Sequence, residues 1–213
     1  MKKALNASME QFGSLNIPKS GYKAVIFDLD GTLVDSMPAH FEAWCEALAK
    51  NGAPKDVFPE DVFYSMGGRP TKDIVREING EFNLDLDPSA VAYAKRQAFL
   101  TKLDKVELND DVVAFAQSLR GKMPVGIATG GSRKVVEATL KAKGLTDLFD
   151  EVVTADDVKC GKPAPDVYLD AAARLEVDPK DCLVLEDAAP GIMAAQSAGM
   201  KVITVPAAIH IVQ

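Results

Sequence analysis

The sequence predicts an α/β fold: a parallel sheet with helices on both faces, and a small all-helical unit inserted behind the first strand. Three observations predict it. From about residue 106 onward, short runs of β-formers alternate with helix-length segments, the pattern of parallel strands joined by right-handed crossovers. An earlier run, Tyr22-Lys23-Ala24-Val25-Ile26-Phe27, has the apolar character of a central strand covered on both faces. Between the two, from Pro38 to about Lys105, the apolar spacing is helical and nothing reads as a strand.

In chain order, residues 1–20 read as a polar leader, partly ordered at best, that ends near Pro18. Met1-Lys2-Lys3 could begin a signal peptide, but Asn6, Ser8, Glu10 and Gln11 interrupt any apolar region behind it. The first strand then runs into Asp28-Leu29-Asp30-Gly31. In the inserted unit, Phe41, Trp44, Cys45, Leu48 and Ala49 recur at helical spacing before Asn51-Gly52. Ile74, Val75 and Ile78 mark a short helix after Pro70, and Asp87-Pro88 opens a third with Val91, Ala94, Ala98 and Phe99 on one side. Helices over 110–120, 133–143, 165–176 and 190–198 then separate strands around 124–128, 152–153, 182–185 and 202–205. The expected organisation is a discontinuous core of residues 21–36 and 106–213, with a helical cap over 37–105.

Composition bounds the function. The 213 residues are 47% hydrophobic, enough to build a core without disulfides or metal staples. A net charge of -7 speaks against a nucleic-acid or polybasic membrane partner. No run approaches the ~18 apolar residues of a membrane span. Cys45, Cys160 and Cys182 form neither a disulfide framework nor a CxxC pair, so the expectation is a cytoplasmic chain with reduced thiols, most simply a monomer.

The polar residues that carry chemistry gather where the strands end: Asp28 and Asp30, Thr129-Gly130-Gly131-Ser132, and Glu186-Asp187. Open parallel sheets bind ligands beyond the carboxyl ends of their strands, so these groups share one crevice, within reach of Lys162. Four carboxylates there repel by about 4 kcal/mol per pair at ~4 Å and an effective dielectric near 20. A hard divalent cation resolves that repulsion, and an all-oxygen set suits Mg²⁺ better than zinc.

Each piece alone has a plainer explanation. Asp28-x-Asp-Gly could be a turn, Thr129-Gly130 a loop, Ser132 or Glu186-Asp187 helix-terminal groups, and Lys162 a solvated lysine. A calcium-binding EF-hand loop needs Gly at its sixth position and Glu at its twelfth, where Leu33 and Ala39 stand. Joint occurrence in order is what sets these readings aside.

Asp28-Leu29-Asp30-Gly31-Thr32-Leu33-Val34-Asp35-Ser36 resembles the first motif of the haloacid dehalogenase-like (HAD) hydrolases, and Thr129, Lys162 and Glu186-Asp187 follow as the others do. The likeness spans about Tyr22 to Val205 and implies that family's Rossmannoid core with a helical cap. It implies Asp28 as nucleophile, Asp30 as general acid and base, and Thr129 and the Gly130 amide as phosphate ligands. It implies Lys162 as the charge that neutralises Asp28 and phosphate. Mg²⁺ would sit on Asp28, Asp187 and the Asp30 carbonyl, with Glu186 acting through a water. Family dehalogenases and phosphonate-cleaving members lack the second acid, so Asp30 points to phosphate esters.

His40 and Trp44 resemble cap residues of the β-phosphoglucomutase and sugar-phosphate phosphatase branch, and Arg69 and Lys72 are further candidates for substrate contact. Trp44 could equally be core, and the two basic residues solvated. The stretch from Ala155 to Asp166 leans toward fructose 1-phosphate-type phosphatases. The expected function is a Mg²⁺-dependent phosphatase of a small phosphorylated metabolite, a sugar or polyol phosphate. The rivals are a β-phosphoglucomutase-like isomerase and a non-catalytic binding protein on the same fold. The first is weakened because Thr71 stands where an ungapped comparison puts the mutase's cap arginine.

Overall fold

The computed structural model describes residues 8–66 and 69–206. Residues 1–7 of the expected leader, Gly67-Gly68 and the last stretch of the core, 207–213, lie outside the described residues. Strands β1 (Met9–Phe12) and β2 (Leu15–Pro18) precede β3 (Ala24–Phe27) and β4 (Val34–Asp35). Helices α1 (Met37–Lys50), α2 (Glu60–Ser65), α3 (Thr71–Phe82) and α4 (Pro88–Leu100) follow, and the chain returns through β5 (Glu107–Leu108). Then come α5 (Asp110–Leu119), β6 (Val125–Ala128), α6 (Arg133–Ala142), β7 (Glu151–Val153), α7 (Asp166–Arg174), β8 (Cys182–Glu186), α8 (Ala189–Ser197) and β9 (Lys201–Thr204).

Five strands form one parallel sheet in the order β7-β6-β3-β8-β9. The first of them in sequence, β3, lies at the centre, and all four of its residues are buried. Its side chains alternate between two cores, as a period of two requires. Val25 and Phe27 join the apolar cluster that includes Val112, Phe115 and Val136 of α5 and α6. Ala24 and Ile26 join the one that includes Tyr168, Ala171 and Ala194 of α7 and α8. Covering both faces buries Val25, Ile26 and Phe27 completely, a gain of about 1.5–3 kcal/mol for each such side chain. Because the chain builds β6 and β7 on one side of β3 and β8 and β9 on the other, the crevice opens beyond Phe27.

The four helices between β4 and β5 have a separate apolar cluster around Trp44, Phe58, Phe63, Ile74, Val75, Ile78 and Val91. The Trp44 and Phe58 ring centroids are 4.9 Å apart. Helix α4 begins as its sequence indicates: Asp87 caps it by accepting from the Ser89 amide at 2.8 Å, with Pro88 in the first turn. Helix α3 stops at Asn83, which takes the left-handed conformation at φ 50°. The segment leaves and rejoins the sheet domain through the short antiparallel pair β4–β5.

The leader differs from expectation. Its described part is a β1–β2 hairpin closed by Gly13-Ser14, not a loose polar arm. Leu15 and Ile17 insert into the cluster that holds Val25 and Phe27, and Phe12 meets Phe115 at 5.0 Å. Asp111 at the start of α5 accepts both the Ser14 amide and its hydroxyl at 2.8 Å. Gly13 sits at φ +53°, and a Cβ there would overlap the Asp111 carboxylate, so the turn requires glycine.

Candidate active site

The first strand delivers Asp28 to the crevice with its amide bonded to the Leu185 carbonyl at 3.0 Å, and only 6% of the residue is exposed. Three residues on, Gly31 turns at φ +94°, where a Cβ would stand 2.3 Å from Asp187 Oδ2. That close approach lets the Thr32 hydroxyl donate to Asp187 Oδ1 at 2.8 Å, tying the first loop to the end of β8.

Lys162 occupies the middle of the cluster. Its ammonium lies 2.5 Å from Asp28 Oδ1 and 2.6 Å from Glu186 Oε1, and both pairs are buried. The Tyr168 ring lies 4.9 Å from the ammonium, and its hydroxyl donates to the same Glu186 oxygen at 3.2 Å. Glu186 Oε2 accepts the Ala188 amide at 2.8 Å. Gly191 leaves room for this carboxylate; a Cβ there would collide with it. Burial alone would lower the Lys162 pKa, but Asp28 and Glu186 hold it well above its ordinary value.

Asp28, Glu186 and Asp187 present ligand oxygens within 4.8 Å of one another, an all-carboxylate set fitted to a hard cation. Their electrostatics say the same. Burial, helped by Glu186 and Asp187, drives Asp28 well above the usual carboxylate range despite Lys162. Burial and Glu186 push Asp187 up to about 6 against the Thr32 hydrogen bond. The Asp30 carboxylate is turned elsewhere: Ser36 donates to its Oδ1 at 2.6 Å and His40 Nε2 lies 3.3 Å away.

Burial would raise Asp30, yet the His40 and Ser36 hydrogen bonds and nearby Lys95 bring it below its ordinary value. His40 is itself lowered by burial and by Lys95, against the opposing pull of Asp30. With Nε2 donating to Asp30, Nδ1 is left as a buried acceptor without a partner among the described residues. The ring stacks on Phe99 at 3.9 Å.

Thr129 follows β6, its amide bonded to the Val153 carbonyl and its hydroxyl accepting the Gly131 amide at 3.0 Å. Arg133 ties this loop to the one after β7, donating to Asp157 at 2.6 Å. A cavity of about 1180 Å³ lies above these groups, between the sheet domain and the helical segment. Every residue singled out from sequence lines it: Asp28, Asp30, His40, Trp44, Arg69, Lys72, Thr129, Gly130, Lys162, Glu186 and Asp187. Their settings differ. Trp44 is 2% exposed and belongs chiefly to the helical core, while Arg69 is exposed and paired to Glu77 at 2.6 Å.

Sequence reasoning missed Lys95, Ser36 and Tyr168. Lys95 faces the cavity with its ammonium 5.3 Å from the Trp44 ring centroid, and burial pulls its pKa down to about 8. A signal existed, because Lys95 stands one helical turn before Phe99 and therefore shares its face.

The geometry has counterparts. Residues 22–199 match the family model described as haloacid dehalogenase-like hydrolase. Fructose-1-phosphate phosphatase YqaB of Escherichia coli is 40% identical over 185 residues, covering 86% of this chain and 96% of that protein. Hexitol phosphatase A of Escherichia coli is 34% identical, covering 87% and 83%. The crystal structure of β-phosphoglucomutase from Clostridium difficile superposes with a TM-score of 0.73 at 25% identity, covering 86% and 84%. A match over most of its length, with the four strand-end motifs around one cavity, places this chain in the haloacid dehalogenase-like hydrolase family.

Proposed function

We propose that this protein is a Mg²⁺-dependent phosphatase that hydrolyses a small sugar or polyol phosphate through an aspartyl-phosphate on Asp28. The observation that carries the reading is the buried Asp28–Lys162–Glu186 cluster beside Asp187, with a second acid, Asp30, held separately by Ser36 and His40. The family generally uses Mg²⁺, and the carboxylate cluster fits it. Asp28, Asp187 and the Asp30 carbonyl would hold the ion; the Glu186 oxygens already accept Lys162, Tyr168 and Ala188, so Glu186 serves first to fix Lys162. When bound, Mg²⁺ supplies positive charge against the carboxylates and the transferring phosphoryl group.

The chain's own groups divide the rest of the work. A carboxylate approaching a phosphate dianion at ~4 Å meets roughly 8 kcal/mol of repulsion at an effective dielectric near 20. Lys162, in contact with Asp28, offsets part of it. Thr129 and the Gly130 amide hold phosphate oxygens in line with Asp28. Asp30 carries the proton. Its carboxyl is ionised in the free protein, and an arriving dianion raises it so that it can protonate the leaving oxygen. It then takes a proton from the water that cleaves the phosphoenzyme. Helices α1–α4 act as a cap that covers the crevice and selects the leaving group.

Phosphate release from a panel of sugar and polyol monophosphates, with Mg²⁺ and with chelator, tests the reading. Release should need Mg²⁺ and fall on the order of 10³-fold or more in Asp28→Asn. No release across the panel overturns it, and conversion of β-glucose 1-phosphate to glucose 6-phosphate with a bisphosphate primer would assign the mutase instead.

A further inference from the structure

The segment beside Thr129 and Gly130 is held from behind by residues that the proposed chemistry does not use. Strand β7 stands at the edge of the sheet, is three residues long and pairs with β6 alone. An edge strand has ladder hydrogen bonds on one side only, so the loop that follows it needs other ties. Those ties run to the loop after β6. The Ala155 amide donates to the Gly131 carbonyl at 3.1 Å. Asp156 Oδ2 accepts the Arg133 amide at 2.9 Å, so α6 receives from the neighbouring loop the cap that the Ser132 side chain does not supply. The Arg133 guanidinium returns along the same path, donating to Asp157 Oδ2 at 2.6 Å and to the Val152 carbonyl at 3.2 Å.

Asp157 gathers these contacts. Its Oδ2 also accepts the Thr154 amide at 2.8 Å and the Thr154 hydroxyl at 2.7 Å, and Arg174 lies 3.5 Å from its other oxygen. Burial would raise Asp157, but the Thr154 and Arg133 hydrogen bonds bring it down to about 2. The pair joins two stretches of chain that each lead to the crevice. Arg133 stands three residues after Gly130, and Asp157 stands five before Lys162. Neither Arg133 nor Asp157 lines the cavity, so whatever they contribute there passes through their neighbours.

We propose that the Arg133–Asp157 pair is a positioning brace for phosphoryl transfer: it sets the Thr129–Gly130 phosphate donors against Lys162 and so keeps the phosphoryl group in line with Asp28. The inference rests on the phosphatase reading and adds to it two residues that touch neither substrate nor metal. A misplacement of ~1 Å can cost about 10²-fold in rate, so such a brace affects catalysis well beyond its weight in folding. Attraction of an anion by the Arg133 charge is the competing account, and it makes the opposite prediction for Asp157.

Substitutions of opposite charge separate the two. Wild-type protein, Arg133→Met, Arg133→Lys, Asp157→Asn and Arg174→Met are titrated by calorimetry in Mg²⁺ with inorganic phosphate and with orthovanadate, whose five-coordinate form imitates the transferring group. Arg174→Met is the control, since it removes the other cation at Asp157 and leaves the tie to the phosphate loop intact. Vanadate should bind about tenfold or more weaker to Arg133→Met and several-fold weaker to Asp157→Asn, with phosphate less affected. Arg133→Lys should recover part of the loss, and Arg174→Met should stay within about twofold of wild type. Mg²⁺ affinity should be unchanged throughout, because the carboxylate cluster is not part of the brace. Tighter vanadate binding by Asp157→Asn would assign the effect to charge and overturn the inference. An equal loss in Arg174→Met, or no loss in Arg133→Met, would overturn it too. A wild-type protein that binds vanadate but releases phosphate from no ester defeats the phosphatase reading alone, and one that binds neither anion defeats both.

Discussion

Glu186 has both carboxylate oxygens engaged, by Lys162, Tyr168 and the Ala188 amide, whereas Asp187 has one hydrogen bond from Thr32 and the repulsion of its neighbour. The two adjacent acids therefore behave differently. Asp187, at about 6 against ~3.9 in an unfolded chain, is raised in the folded state. A raised carboxyl removes stability as pH climbs from ~4 through ~6, because the folded protein then ionises a group that the unfolded chain has already ionised. Asp187→Asn should stabilise the metal-free protein near neutral pH by roughly 1–2 kcal/mol, measured by urea unfolding, while weakening Mg²⁺ binding. In the wild type, Mg²⁺ affinity should rise with pH through ~6 as the competing proton leaves, which calorimetric titration would read. Tyr168 makes a third case. Tyr168→Phe keeps the ring under Lys162 and removes one hydrogen bond, so kcat should fall several-fold with KM little changed, and stability by about 0.5–1.5 kcal/mol. An equal rise in KM would contradict its role in holding Lys162 through Glu186. Asp28, Asp30, Lys162, Glu186 and Asp187 were legible as one cluster because they fall in order at the ends of parallel strands, although each alone has an ordinary structural use. Lys95 was not, since a lysine on an amphipathic helix looks solvated until the fold closes over it.

Among the elements, legibility follows the strength of the local pattern. The sheet strands are apolar on both faces, and helices α1, α3 and α4 carry apolar stripes with clear starts and stops. Helix α2 spans six residues, less than two turns, too short for a periodicity to show. The β1–β2 hairpin was hidden for another reason. Its inward residues, Leu15 and Ile17, alternate with polar Asn16 in so short a strand that the segment reads as polar. Gly13-Ser14 between two such strands is nonetheless a hairpin turn, and only the packing of Leu15 and Ile17 on the core reveals its weight. Two fully buried aliphatic side chains imply about 3–6 kcal/mol. Deleting residues 1–19 should therefore cost about 3 kcal/mol or more in denaturant unfolding. The specific activity of the folded fraction should change little, because no hairpin residue lines the cavity.

The molecule as a whole assigns one task to each part. The sheet converges carboxylates and Lys162 on a point beyond β3, a consequence of placing the first strand at the centre of the order β7-β6-β3-β8-β9. The helical segment brings His40 to Asp30 and cations to the opposite wall, and Lys102–Glu46 and Lys105–Glu42 pair its return path to α1. That division was legible from the order of motifs along the chain. The identity of the leaving group was not, because it depends on how separate helices face one another across the cavity. If Asp28 takes the phosphoryl group before water does, rapid-quench sampling of a reaction with a phosphate-labelled sugar phosphate will catch it on the protein. Acid quench within the first turnover should recover protein-bound phosphate label, and tritiated borohydride, which reduces the acyl phosphate and releases its phosphate, should place tritium at position 28, with neither in Asp28→Asn. Rapid phosphate release with no labelled protein at any time would contradict the claim and assign the attack to water.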